Sequence, residues 1–198
     1  MSFVARSLTI AGLVAATIGV GAYSADRVTT SFTGMTPINV GVWRGYPGLA
    51  TRDADPYARA NLARSGKLPV ADTEGIEFRA VMDDERQPLR ANCNYTLSGD
   101  LPANRLWTFR AVPLDRGDPA QAIDPPYFTS RQHARQADAA VSLNAGSLPA
   151  GMNWYRFEPD LDDNLMFVFT LYDSAVATTA SFSDLAMPTI VNKGCSRG

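Results

Sequence analysis

The sequence is poor in the side chains that most metal sites and redox motifs require. It has 2 cysteines and 1 histidine among 198 residues, and it contains neither a C-x-x-C pair nor a G-x-S-x-G serine motif. These shortages give no basis for predicting catalytic residues, a metal site or a cofactor. A basic excess is also missing, since 18 basic and 20 acidic side chains give a formal net charge of −2. This balance argues against a nucleic-acid-binding protein.

Apolar residues, proline and glycine are plentiful instead. Hydrophobic residues make up 45% of the chain, which is enough for a folded core. The 13 prolines and 15 glycines are spread along the sequence, as in proteins built from many short strands and turns. The length favours one domain with a short appendage.

The appendage is a charge-free segment at the N-terminus. Residues 7–25 carry no charge, and as a helix they would extend about 28 Å, close to the hydrocarbon thickness of a bilayer. Arg6 precedes the segment, whereas Asp26 and Arg27 cancel after it, so the positive-inside rule places the rest of the chain outside the cytoplasm. We therefore predict a membrane anchor over residues 1–27. A signal peptide cleaved near Ala22-Tyr23-Ser24 is the alternative.

Small residues recur within this segment at a spacing of four. Gly12 and Ala16 form one pair, and Ala15 and Gly19 form another. Such spacing lets two helices approach closely in lipid and predicts a membrane-protein partner. The alternative is that glycine and alanine are simply common in such segments.

Cys93 and Cys195 are predicted to form a disulfide, because two cysteines in an oxidising compartment most simply pair with each other. The bridge would tie the C-terminal tail to the strand around Cys93 and close a loop of about a hundred residues. The alternative is two free thiols.

The remainder of the chain predicts a mainly β domain. Asp55 and Pro56 begin one short helix as its N-cap and first residue, and Gly66 ends it. Alternating or continuous apolar residues predict strands over 75–82, 93–97, 106–112, 140–143, 153–157 and 165–172, the last of these central. Residues 173–185 are expected to form a short helix or an irregular crossover. Strands at this spacing favour a jelly-roll-like antiparallel β-sandwich over residues 53–198, joined to the anchor by a connector over 28–52.

Several short blocks resemble one bacterial family in sequence order. They are Gly41-Val42-Trp43, the run from Asp53 to Ala60, the run from Cys93 to Gly99, Asn153-Trp154-Tyr155, Leu171-Tyr172-Asp173 and Gly194-Cys195. Together these blocks resemble the family called domain of unknown function 1214. The resemblance implies a jelly-roll-like sandwich, a location in the cell envelope and a companion protein of the related family 1254. It implies no catalytic residues.

Individual side chains give few chemical candidates. His133 lies in a polar run without a catalytic partner motif, and residues 160–164 lack the glycine and glutamate that a calcium loop needs. Trp107 and Trp154 are expected in the core. Trp43 and Tyr46 are expected outside it, in a loop, and with Tyr57 they are the predicted interaction residues of the folded domain.

These observations predict a non-catalytic accessory subunit. It would be held in the bacterial inner membrane by a single helix, with its domain in the periplasm. It would dock onto a larger membrane assembly or companion protein through Gly12, Ala16, Trp43, Tyr46 and Tyr57. The alternative is a periplasmic domain that binds or processes carbohydrate, for which Asp100, Asp160 and Asp162 are the candidate carboxylates.

Overall fold

The computed structural model describes residues 3–31, 37–65, 69–71, 73–114, 126–134, 140–157, 164–174, 176 and 185–196. Two helices and ten strands occur in these residues. The helices are α1 (Phe3–Ser31) and α2 (Pro56–Ser65). The strands are β1 (Ile38–Val40), β2 (Trp43–Gly45), β3 (Gly75–Ala80), β4 (Cys93–Gly99), β5 (Leu106–Pro113), β6 (Phe128–Thr129), β7 (Val141–Gly146), β8 (Trp154–Arg156), β9 (Leu165–Tyr172) and β10 (Thr189–Cys195).

The strands form two sheets, as the predicted sandwich requires. The larger sheet has the order β1-β2-β3-β9-β5-β6, and the smaller has the order β10-β4-β7-β8. From β3 to β5 and again from β6 to β7 the chain passes from one sheet to the other, which agrees with a jelly-roll-like arrangement. The mainly β fold is confirmed.

Aromatic side chains join the two sheets into one core. The Tyr95 ring of β4 lies 5.3 Å from Phe167 of β9, and the Tyr155 ring of β8 lies 5.2 Å from Phe109 of β5, both edge to face. Such pairs add to the stabilisation that burial of apolar area provides. β9 is central in its sheet and largely buried on both faces, as its continuous apolar sequence predicted.

One strand pair departs from the antiparallel prediction. β7 and β8 run parallel, with Asn144 opposite Trp154. The residues between them fold back over β7, where the Asn144 side chain donates a hydrogen bond to the Ala150 carbonyl at 3.0 Å. This return lets β8 start beside the middle of β7 and run in the same direction.

Part of the predicted connector belongs to the larger sheet. β1 and β2 form a hairpin in which Val40 pairs with Trp43 across the two residues Gly41 and Val42. Gly41 has φ +60°, as the first central residue of a type II′ turn requires. The boundary predicted between connector and domain at residue 52 therefore does not match the sheet, which begins at Ile38.

Helix α2 begins as predicted. The Asp55 carboxylate accepts hydrogen bonds from the backbone N–H groups of Tyr57 and Ala58 at 2.8 and 3.3 Å, which identifies it as the N-cap. The helix ends at Ser65. Gly66, the predicted C-cap, and most of the predicted segment 173–185 lie outside the described residues.

The strand registers place both helices at the same end of the sandwich. β2 runs toward the pair formed by Gly45 and Phe78, so the chain leaves toward α2 at the Gly75 end of β3. The chain from α1 joins the sheet at this end too, because β1 begins at Ile38, opposite Gly45. We call this the proximal end. The opposite end, where β4 starts at Cys93, is the distal end.

Candidate interaction surface

Helix α1 presents an apolar surface that the folded domain leaves uncovered. Its segment Arg6–Val28 has the length and composition of a membrane span, and none of it is buried against the rest of the protein. The 23 residues of this segment would extend about 34 Å, slightly more than the hydrocarbon core of a bilayer. Such a surface is compatible with a single-pass anchor or with a signal sequence.

Side chains near the end of this segment are typical of a membrane boundary. The Arg27 guanidinium lies over the Tyr23 ring at 5.4 Å, and its Nε donates a hydrogen bond to the Tyr23 hydroxyl at 3.1 Å. Tyrosine and arginine can both keep a polar group in the headgroup layer while their apolar parts stay in lipid.

An ion pair links α1 to α2 immediately beyond the apolar segment. Arg64 Nη2 lies 2.9 Å from Asp26 Oδ1, and both side chains are more than half exposed. An exposed pair of this kind stabilises little, because water and salt screen it. Its value is positional, since it places the end of α2 beside the end of the apolar helix.

The predicted small-residue surface of α1 is open. Gly12, Ala15, Ala16 and Gly19 project from one side of a helix with 3.6 residues per turn. A Cβ atom added to Gly12 or Gly19 would meet no atom within 4 Å. A second helix could therefore approach this side closely. The role of Gly12 and Ala16 in binding a partner stays a prediction.

Trp43 is a core residue, and its predicted placement outside the core was wrong. It is 1% exposed, its ring lies 5.3 Å from Phe169, and its indole N–H donates a hydrogen bond to the Pro188 carbonyl at 2.7 Å. The reason is its position on β2, where strand alternation turns the side chain inward while Arg44 points outward. This ring is therefore not available to a partner.

The two predicted tyrosines differ from Trp43 in exposure. Tyr57, on the first turn of α2, is 50% exposed, and Tyr46, just after β2, is half-buried. Ala58 lies next to Tyr57 but is buried, so α2 has one face against the domain and one face open. Of the three aromatic candidates, Tyr57 is the one that offers a large exposed surface at the proximal end.

Sequence reasoning missed a second exposed apolar patch. Leu148 is 60% exposed and Met152 is 87% exposed, both in the segment between β7 and β8. Trp154 follows them and is half-buried on the outer face of the smaller sheet, so its predicted place in the core was wrong. A signal was present in the sequence, because no charge occurs from residue 139 to residue 155.

The remaining candidates have structural explanations where they are described. Cys93 and Cys195 form the predicted disulfide between β4 and β10. His133 Nε2 lies 3.2 Å from both the N–H and the carbonyl of Ser142, and its ring contacts Trp107, which is in the core as predicted. Asp100 is exposed, whereas Asp160 and Asp162 lie outside the described residues. Within the described part of the chain, no three metal-binding side chains lie together.

Comparison with known proteins gives a family and a fold. The family model of proteins of unknown function DUF1214 matches residues 74–176. No curated protein matches the chain. The crystal structure of the VPA0106 protein from Vibrio parahaemolyticus is similar with a TM-score of 0.52 and 15% identity, over 71% of this chain and 36% of that one. An uncharacterized protein from Burkholderia cenocepacia gives a TM-score of 0.43 and 11% identity, over 84% and 38%.

The first of these likenesses supports the fold alone. The chain spans little more than a third of the length of either solved protein.

Proposed function

The chain belongs to the DUF1214 family, and from this premise we propose that it is a membrane-anchored interaction subunit whose folded domain lies outside the cytoplasm. In this proposal α1 remains attached to the domain and crosses the bacterial inner membrane. The sandwich then stands in the periplasm and docks onto a larger membrane assembly or a companion envelope protein. The role is binding rather than catalysis.

The observation that carries this proposal is the position of the uncovered apolar helix. A segment of 23 residues that is 0% buried needs an apolar environment from outside the chain, and a bilayer supplies one. The disulfide supports a periplasmic location, because such bonds persist in oxidising compartments.

Docking can use two separate surfaces in this arrangement. The open small-residue side of α1 suits a helix within the bilayer. The patch formed by Leu148, Met152 and Trp154 suits a partner outside it, since exposed apolar side chains grouped together are typical of interaction sites. The larger size of the two solved structures is compatible with a role beside further domains or chains.

A native pull-down from mildly solubilised membranes tests the helix part of this proposal. We expect a stoichiometric membrane partner with the unchanged chain and its loss with Gly12→Leu/Ala16→Leu, because larger side chains prevent close helix approach. Val14→Leu is the matched control, since Val14 projects from the opposite side of α1 and the change keeps the segment apolar. Equal recovery of the partner with the double variant and the control would contradict the role of Gly12 and Ala16.

Carbohydrate binding is the second candidate function. Trp154 and Asn144 lie side by side on the outer face of the smaller sheet, and an indole beside an amide is a suitable surface for a sugar. However, the Asn144 amide already accepts from the Thr96 hydroxyl at 2.8 Å and donates to Ala150. We therefore place this function second. A glycan array probed with the full chain tests it, and Trp154→Ala should abolish any specific signal.

A further inference from the structure

The depth of α2 relative to the membrane follows from α1, and the inference drawn from it rests on the proposed function. If the segment Arg6–Val28 spans the bilayer, its length of about 34 Å brings its last residues to the edge of the hydrocarbon core. Asp26 lies near that end. Its charged side chain belongs in the headgroup layer, because a carboxylate in hydrocarbon is costly.

The ion pair fixes the end of α2 at the same depth. Arg64 Nη2 is 2.9 Å from Asp26 Oδ1, so the guanidinium of Arg64 also lies in the headgroup layer. Helix α2 has 10 residues and is about 15 Å long. It therefore begins within a short distance of the membrane surface whatever its tilt.

The exposed face of α2 has the composition of an interfacial helix. Arg59 and Arg64 lie at the two margins of this face, about 140° apart around the helix axis, and Ala63 lies between them. Tyr57 is exposed on the first turn, while Ala58 is buried on the opposite side. Long arginine stems beside alanine and tyrosine can lie on lipid while the charged groups reach phosphate.

The charge of α2 favours an anionic surface. The helix has two arginines and no acidic residue. Three charged side chains flank its start: Arg52 and Asp53, which are exposed, and Asp55, whose carboxylate accepts the N-cap hydrogen bonds. Asp26 is opposite Arg64. Arg59 and Arg52 thus add positive charge to a region that already lies at the bilayer.

We propose that the exposed face of α2 binds the phosphate groups of anionic phospholipids in the headgroup layer and so holds the sandwich against the membrane. The occupant is lipid rather than protein for two reasons on this surface. The face is continuous with the end of the membrane-spanning helix, and its arginines complement anionic headgroups in charge. An arginine contributes to such binding by a factor of about five near an anionic surface.

A spin label on α2 tests this proposal in the full-length, disulfide-bonded chain. Both native cysteines are in the disulfide, so Ala63→Cys introduces one free thiol in the middle of the exposed face. The chain is reconstituted in nanodiscs of phosphatidylcholine with or without phosphatidylglycerol. We then measure collisions of the label with a water-soluble nickel complex. A label at Met152→Cys, far more exposed and away from α2, is the reference.

We expect the α2 label to be protected from the nickel complex in nanodiscs with phosphatidylglycerol and the reference label to stay accessible. Arg59→Gln should raise the ratio of detached to bound α2 about fivefold. Lys193→Gln removes an exposed charge from β10 near the distal end and should leave the ratio unchanged.

Three results would overturn the proposal. Equal nickel accessibility at both labels would show that α2 is not at the lipid surface. Equal protection with and without phosphatidylglycerol, or no effect of Arg59→Gln, would show that anionic phosphate is not recognised. A chain that fails to remain with the nanodisc would instead contradict the proposed anchor itself, and this outcome is read separately from the label.

Discussion

At the scale of single residues, Tyr95 connects burial, hydrogen bonding and ionisation at one position. The residue is 1% exposed, its ring packs on Phe167, and its hydroxyl accepts a hydrogen bond from the Arg90 N–H at 2.8 Å. Burial raises the pKa of Tyr95 above its ordinary value of 10.0, because the phenolate would lose its hydration. Tyr95 thus stays neutral in the folded protein at pH values where the unfolded chain ionises.

This raised pKa predicts a loss of stability at alkaline pH. The contribution of Tyr95 is complete below pH 10 and is lost as the pH rises from 10 toward the folded-state pKa, because the unfolded chain releases its proton first. Tyr95→Phe should lower the free energy of unfolding by about 1–2 kcal/mol near neutral pH, since the Arg90 N–H loses its acceptor. Above pH 10 the difference between the two proteins should shrink.

Urea unfolding of both proteins below and above pH 10 measures this difference. A gap between wild type and Tyr95→Phe that stays constant across this range would contradict the assigned role of burial.

Trp43 and Trp154 show why residue environments were harder to predict than residue types. The sequence around Trp43 contains Gly41 and a nearby Pro47, which suggested a loop. The two-residue Gly41–Val42 turn closes a hairpin instead, and the burial of Trp43 depends on Pro188, 145 residues away. Trp154 lies on an outer sheet face because β8 pairs in parallel with β7. No local pattern encodes either of these long-range contacts.

At the scale of elements, β10 depends on few contacts for its place at the sheet edge. It pairs only with β4 among the described strands, and the turn before β4 contributes Asp84, whose N–H donates to the Ile190 carbonyl at 3.1 Å and whose carboxylate accepts from the Ile190 N–H. Ile190 is fully buried. The Cys93–Cys195 disulfide joins the last residue of β10 to the first residue of β4.

Removing this disulfide should destabilise the fold. The bridge spans a sequence separation of 102 residues, and loops of that length are worth nominally 4–5 kcal/mol, with about 2–4 kcal/mol commonly measured. Cys93→Ala/Cys195→Ala should lower the free energy of unfolding by that amount. A reductant should lower the unfolding midpoint of the wild type similarly and leave the double variant unchanged.

Urea unfolding of the full chain in detergent, with and without reductant, makes this comparison. Identical midpoints for wild type and double variant under oxidising conditions would mean that β10 is held by its other contacts.

Elements with a strong local pattern could be predicted from the sequence. The Asp55–Pro56 start of α2, the alternation of Ile76, Phe78 and Ala80 in β3, and the continuous apolar run of β9 all correspond to observed elements. Short strands were the difficulty. β1, β2 and β6 have two or three residues each, too few for a period to be recognised, and their identity comes from pairing with distant partners.

At the scale of the whole molecule, the two ends of the sandwich differ in chemistry. The proximal end contains the connections to α1 and α2, with Asp26 and Arg64 in contact. The distal end carries the disulfide at the start of β4. An anchored domain with this polarity would keep α2 at the bilayer and its C-terminal strand end away from it. The candidate site was only partly predictable, because Tyr57 could be identified from the sequence but its nearness to the anchor could not.

The attachment of α1 is the central claim of this account. It is tested most directly by alkaline carbonate extraction of bacterial membranes, followed by intact-mass measurement of the chain. We predict that the chain stays in the membrane pellet with a mass that includes residues 1–27. A chain released into the soluble fraction, with a mass that begins near Ala25, would show that α1 is a cleaved signal sequence and would contradict both the anchor and the headgroup role of α2.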